Sequence, residues 1–76
     1  MADGTMKITT ENFTVEIFDE TPLRGYFEHN ELGDNCGGGL WFEGLELIDY
    51  DGVYCLPKEV IQALRNTGFY VGEEFE

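Results

Sequence analysis

Seventy-six residues, 42% of them hydrophobic, make one small globular domain (1–76) rather than a disordered chain. Sixteen Asp and Glu against four Lys and Arg give a formal net charge of -12. That argues against direct contact with DNA, RNA or anionic membranes, which are held by cations, and favours a basic protein partner, cations or simply solubility. A domain this size buries only about 60–65% of its unfolded surface, so stability is modest and large side chains matter. The eleven aromatic residues therefore supply much of the core.

Residues 1–5, MADGT, are small and polar and are expected to fray. Ile8 belongs to a short first strand. Phe13, Val15 and Ile17 then alternate with Thr14, Glu16 and Phe18, the period of two of a half-buried strand. Asp19-Glu20-Thr21-Pro22 breaks it. Leu23 to His29 reads as the next strand, with Gly25 and Phe27 on one side and Arg24, Tyr26 and Glu28 on the other. Asn30 to Gly39 holds four glycines in ten residues and reads as a flexible loop.

Leu40 to Glu43 restarts a strand, with Leu40 and Phe42 inward. Leu45 and Leu47 are out of phase with them by one residue, which predicts a bulge or kink at Gly44. Asp51-Gly52 separates the alternation of Leu45 to Tyr50 from Val53-Tyr54-Cys55-Leu56. An Asp-Gly pair in that setting signals a hairpin, because a type I′ turn needs positive φ at both central residues. Pro57 stops the ladder and pre-sets φ for a helix over about Pro57–Asn66. Val60, Ile61 and Leu64 share one side of it, beside Ala63. Glu59 in the first turn and Arg65 in the last suit the helix dipole, and Gly68 suits a left-handed end. Phe69-Tyr70-Val71 adds a final short strand beside the hairpin, and the acidic tail 72–76 frays.

The sum is an α+β fold, an antiparallel sheet of four or five strands with one helix packed on one face. Its core is expected from Phe13, Val15, Ile17, Phe27, Leu40, Phe42, Leu45, Leu47, Val53, Cys55, Val60, Ile61, Leu64 and Phe69.

No basic region followed by an apolar run opens the chain, and no apolar stretch nears the about 18 residues that span a bilayer. A cytoplasmic protein with free thiols at Cys36 and Cys55 is expected, and the Asn12-Phe13-Thr14 sequon is chance. His29 and Cys36 flank the glycine-rich loop but lack the signature of a thiol enzyme. They read as a surface His and an ordinary Cys. Two Cys and one His at these spacings make no zinc site. Asp49-Tyr50-Asp51-Gly52 matches the opening of a calcium loop, but Val60 stands where the bidentate Glu belongs. Gly37-Gly38-Gly39 lacks the Lys and Ser or Thr of a phosphate loop. No catalytic residue, metal or cofactor is assigned.

What stands out is the outward face of the sheet. It carries Thr14, Glu16, Tyr26, Glu28, Trp41, Glu43, Glu46, Tyr50 and Tyr54, with Asp49 and Asp51 at the hairpin end. Carboxylates steer a basic partner and exposed aromatics bury well against it. Glu16, Tyr26, Glu28, Trp41, Glu43, Glu46, Asp49, Asp51 and Tyr54 are the candidate partner-binding residues.

In size, acidity and sheet-plus-helix design the whole chain resembles small phage-encoded inhibitor proteins, notably anti-CRISPR proteins and other DNA mimics. That resemblance implies a stoichiometric, non-enzymatic inhibitor in the host cytoplasm. It would occupy a basic DNA- or RNA-binding surface of a host nucleoprotein such as a CRISPR effector. The second reading is an assembly module, a homodimer joined through exposed sheet edges or through Trp41 and Tyr26.

Overall fold

The alternation of Phe13, Val15 and Ile17 with polar neighbours becomes the second strand of a five-stranded antiparallel sheet. The computed structural model describes residues 4–76, apart from the side chain of Asp34. The expectation for the first residues falls largely on 1–3, outside the described residues. The strands are β1 (Thr5–Thr9), β2 (Phe13–Phe18), β3 (Arg24–His29), β4 (Gly33–Glu43) and β5 (Glu46–Tyr50). Each pairs with its sequence neighbour, in the order β1-β2-β3-β4-β5. One helix, α1 (Lys58–Thr67), follows, and then a 3₁₀ turn at Glu73–Phe75. The fold is α+β, with β1 and β5 as the sheet's two edges.

The register sorts the side chains into two faces. Val15 opposes Phe27, Phe27 opposes Gly38, and Gly25 opposes Leu40, so these residues share the inner face. Val60, Ile61 and Leu64 of α1 pack there with Phe13, Val15, Ile17, Phe27, Leu40, Phe42 and Leu47. Pro57 precedes the helix, and Gly68 ends it in the left-handed region with φ of 111°. Asn12 closes the β1–β2 turn onto the helix start, donating from N–H and from Nδ2 to the Glu59 carboxylate at 2.8 and 2.9 Å.

The glycine-rich stretch is not a loop. Gly37, Gly38 and Gly39 lie within β4, opposite Glu28, Phe27 and Tyr26 of β3. A three-residue excursion, Asp34 to Cys36, separates that ladder from the pair His29–Gly33. The missing side chains have a packing purpose. A Cβ on Gly38 would collide with the carbonyl oxygen of Asp51 and come within 3.0 Å of the Gly52 Cα. A Cβ on Gly52, whose φ is 87°, would lie 2.5 Å from the Gly37 carbonyl oxygen. The chain leaving β5 thus crosses the inner face of β4 at backbone contact, which only paired glycines permit.

That crossing replaces the expected hairpin. Residues 52–55 form bends, not a strand. The β5 edge where such a strand would pair is taken by Tyr70, through Leu47 N–H to Tyr70 O (2.9 Å) and Tyr70 N–H to Leu45 O (2.8 Å). Phe69 to Val71 therefore contributes a single parallel bridge, Glu46–Tyr70. The real hairpin turn is Gly44-Leu45, with φ of 63° at Gly44. The register shift lies between Trp41 and Phe42, where Ile48 is the extra residue of β5, rather than at Gly44.

Three core expectations change with it. Leu45 sits in the turn, 61% exposed, and Cys55 is exposed. Val53 is only partly buried against the core. Leu56 and Val71 take their places, both buried. The C-terminal segment runs beside β5. Its Phe75 ring meets Tyr50 at 5.9 Å, and Arg65 donates to Val71 O and to Glu76 Oε2, the latter at 2.8 Å.

Candidate protein interface

The face of the sheet turned away from α1 is built in cross-strand rows. One row runs Lys7, Glu16, Tyr26, Gly39. A second runs Thr14, Glu28, Gly37, and a third Phe18, Arg24, Trp41, Asp49. Glu43 faces Glu46 across the β4–β5 turn. Glu16, Tyr26, Glu28, Trp41, Glu43, Glu46 and Asp49 are thus brought onto one face.

Two cations stand among these acids. Lys7 Nζ lies 3.6 Å from Glu16 Oε2, and the Arg24 guanidinium carbon lies 5.8 Å from the centroid of the Trp41 ring. Phe18 belongs to the same surface by its phase with Glu16. The face is therefore amphiphilic, acids and aromatics broken by two positive charges, rather than one continuous acidic sheet. Sequence reading left Lys7 and Phe18 out of the surface. Placing Lys7 requires the β1–β2 register, which one sequence does not display. A cleft of about 220 Å³ opens among Lys7, Thr14, Glu16, Tyr26 and Glu28.

Asp51 and Tyr54 have other places. The Asp51 carboxylate accepts from Gly39 N–H at 2.9 Å, while Asp51 N–H donates to Gly39 O at 3.1 Å. Asp51 buttresses the chain crossing. Tyr54 is 99% exposed in the bend beyond β5, and its carbonyl is 3.5 Å from the Tyr50 hydroxyl. Tyr50 itself packs against the core instead of facing out.

More acids line the β5 edge. Glu46 is bridged to Tyr70, and Glu73, Glu74 and Glu76 follow in the segment beside it. Arg65 answers only Glu76 among them, at 2.8 Å.

The groups considered for chemistry are occupied otherwise. His29 Nδ1 accepts from the N–H of Glu31 (3.1 Å) and of Leu32 (3.3 Å), and its ring meets Phe13 edge-on at 5.1 Å. The imidazole braces the β3–β4 turn. Cys36 is a half-buried free thiol in the β4 excursion. Hydrogen bonds from the Thr10 side chain, then from the Asn12 side chain and backbone, hold the Glu59 carboxyl below its ordinary value. Among the described residues, no group of three or more His, Cys, Asp or Glu is placed to hold a metal ion. No described helix is long and apolar enough to cross a membrane.

No protein-family model, curated protein or solved structure matches the chain.

Proposed function

We propose that this chain is a non-catalytic binding protein, an inhibitor that occupies the nucleic-acid-binding surface of a basic host protein such as a CRISPR effector. The observation that carries the reading is the pair Glu43 and Glu46. Two exposed carboxylates stand directly opposite each other across a turn, with Asp49 farther along the same strand. Like charges opposed in this way lower the stability of the isolated fold. A cationic partner relieves that repulsion, as it would relieve the charge of -12 on the chain.

The outer face supplies the rest of a protein contact. Tyr26 and Trp41 are half-buried aromatics on neighbouring strands, Tyr26 flanked by Glu16 and Glu28 and Trp41 set between Arg24 and Asp49. Lys7 and Arg24 interrupt the acids, so the surface suits a protein with mixed charges around a basic groove better than a uniform imitation of a phosphate row. The role of His29 as a turn brace supports the non-catalytic reading.

The test is a tagged pull-down from bacterial lysate at low and high salt, with DNA as competitor and the captured protein identified by mass spectrometry. The expected result is a nucleic-acid-binding protein that is lost as salt rises and displaced by DNA. Its activity should be inhibited by the wild-type chain and not by a variant with Glu16, Glu28, Glu43 and Glu46 all replaced by Lys. Inhibition undiminished in that variant, with the fold intact, overturns the proposal.

A further inference from the structure

The hydrogen-bond phase of β1 leaves one side of that strand unpaired. Asp19 N–H donates to Gly4 O at 2.9 Å and Thr10 N–H to Phe13 O at 2.8 Å. In an antiparallel ladder, bonded and non-bonded pairs alternate. Gly4–Asp19 and Thr10–Phe13 are bonded, so Met6–Ile17 and Ile8–Val15 are bonded too. The N–H and C=O groups of Thr5, Lys7 and Thr9 therefore point away from the sheet. Among the described residues, no strand pairs with them.

An apolar cleft adjoins this edge on the inner face. About 320 Å³ in volume, it is bounded by Gly4, Thr5, Met6, Ile17, Leu23, Leu45 and Phe69, with Asp19 the one charged residue in its wall. Met6 is 45% exposed there, while α1 packs against β2. Acids stand at both ends of the edge, Asp19 bonded to Gly4 at one and Glu11 in the β1–β2 turn at the other.

We infer that β1 is a second binding site, which takes an extended segment of a basic protein as a sixth strand. Its main chain pairs with Thr5, Lys7 and Thr9. One apolar side chain enters the cleft beside Met6, and cationic side chains flank it over Asp19 and Glu11. Charge selects this occupant. A second copy of the chain, paired about a two-fold axis at Lys7, would set Lys7 against Lys7 and bring a charge of -12 onto another of -12. A free edge beside exposed apolar surface is otherwise a template for aggregation, and a resident strand removes both exposures.

A fluorescent seven-residue peptide of alternating valine and threonine, with arginine at each end, is the probe. Its affinity is measured by anisotropy, and the contact is mapped by backbone amide shifts. The reporting variant is Lys7→Pro. Proline on an edge strand costs no ladder bond when its N–H faces outward, so β1–β2 should survive while the central donor is lost. The expected result is shifts centred on residues 5–9, with binding at least tenfold weaker in Lys7→Pro. Met6→Gln, at an exposed position that leaves the fold intact, should weaken binding severalfold by making the cleft wall polar.

Binding unchanged in both variants, shifts confined to the outer face, or no binding at millimolar peptide overturns the inference. So does a dimer by light scattering that Lys7→Pro dissociates, because the occupant is then a second copy. The Glu43→Lys, Glu46→Lys double variant separates this site from the outer face. It should keep the peptide even where it loses the captured nucleoprotein.

Discussion

Gly38→Ala decides whether the glycine run is a packed strand or a flexible loop. The new methyl would collide with Asp51 O and lie 2.7 Å from the Asp51 carbonyl carbon. These are backbone atoms, so no side chain can turn aside. The crossing at 51–52 has to move, which breaks Gly39 N–H to Asp51 Oδ1 (2.9 Å) and Asp51 N–H to Gly39 O (3.1 Å). Overpacking costs about 2 kcal/mol. Two net hydrogen bonds cost about 2 kcal/mol more. The stiffer unfolded chain returns about 0.7 kcal/mol. The net loss is about 3 kcal/mol, from a domain whose whole stability is on the order of 4–11 kcal/mol. At about 4–8 °C per kcal/mol for this size, Tm falls by about 12–24 °C. Thermal melting by circular dichroism reads it, with guanidinium unfolding as a check. Gly39→Ala is the control. Its methyl points to the outer face, and its nearest neighbours are side-chain atoms, the tip of the Trp41 ring at 3.0 Å and Asp51 Oδ1 at 3.2 Å, which can give way where backbone cannot. A flexible loop would give the opposite sign, since Gly→Ala then stabilises by about 0.4–1 kcal/mol. A Gly38→Ala protein melting within about 3 °C of wild type refutes the crossing.

Two further predictions follow from the core and from the helix start. Leu56→Ala should cost about 2–5 kcal/mol by leaving a cavity, whereas Leu45→Ser should stay within about 0.5 kcal/mol. Equal effects in guanidinium titrations would contradict the placement of these two leucines. Glu59 is held below its ordinary value of 4.5, so its ionised form favours the folded state. That contribution is fully present above the unfolded-state value and fades as pH falls through the lower folded-state value. The Tm gap between wild type and Glu59→Gln should therefore be constant near neutral pH and close below pH 4.5. A gap that widens on acidification would refute the assignment.

Much of the fold was legible because its signals are local. The alternation of Phe13, Val15 and Ile17, the Pro57 start and the Gly68 stop each state their element within a few residues. Gly37 to Gly39 could not be read that way. A strand without side chains displays no period, and the reason for its glycines lies at Asp51-Gly52, a dozen residues on. Asp51-Gly52 misled for the complementary reason. A type I′ turn needs positive φ at both residues, and Gly52 has it, at 87°. But positive φ serves a chain crossing as well as a hairpin, and only the occupancy of the β5 edge by Tyr70 separates them. On the outer face, the phases of Glu16, Tyr26, Glu28 and Trp41 followed from period two. The intrusion of Lys7 did not, because cross-strand neighbours depend on register. Leu45 shares its period-two phase with buried Leu47, yet it lies outside β5 in the turn with Gly44, where that phase no longer buries it.

The order of elements along the chain also has a consequence during synthesis. All five strands are complete by Tyr50, and each pairs with its immediate predecessor, so the sheet can zip together hairpin by hairpin as it leaves the ribosome. The residues that cover its apolar side, from Leu56 to Val71, emerge after it. For that interval Phe13, Val15, Phe27, Leu40 and Phe42 face water on a preformed platform. A nascent chain stalled just past Gly52 would be an adhesive sheet rather than a random coil, and a chaperone that meets it would find its substrate on the side later hidden by the helix.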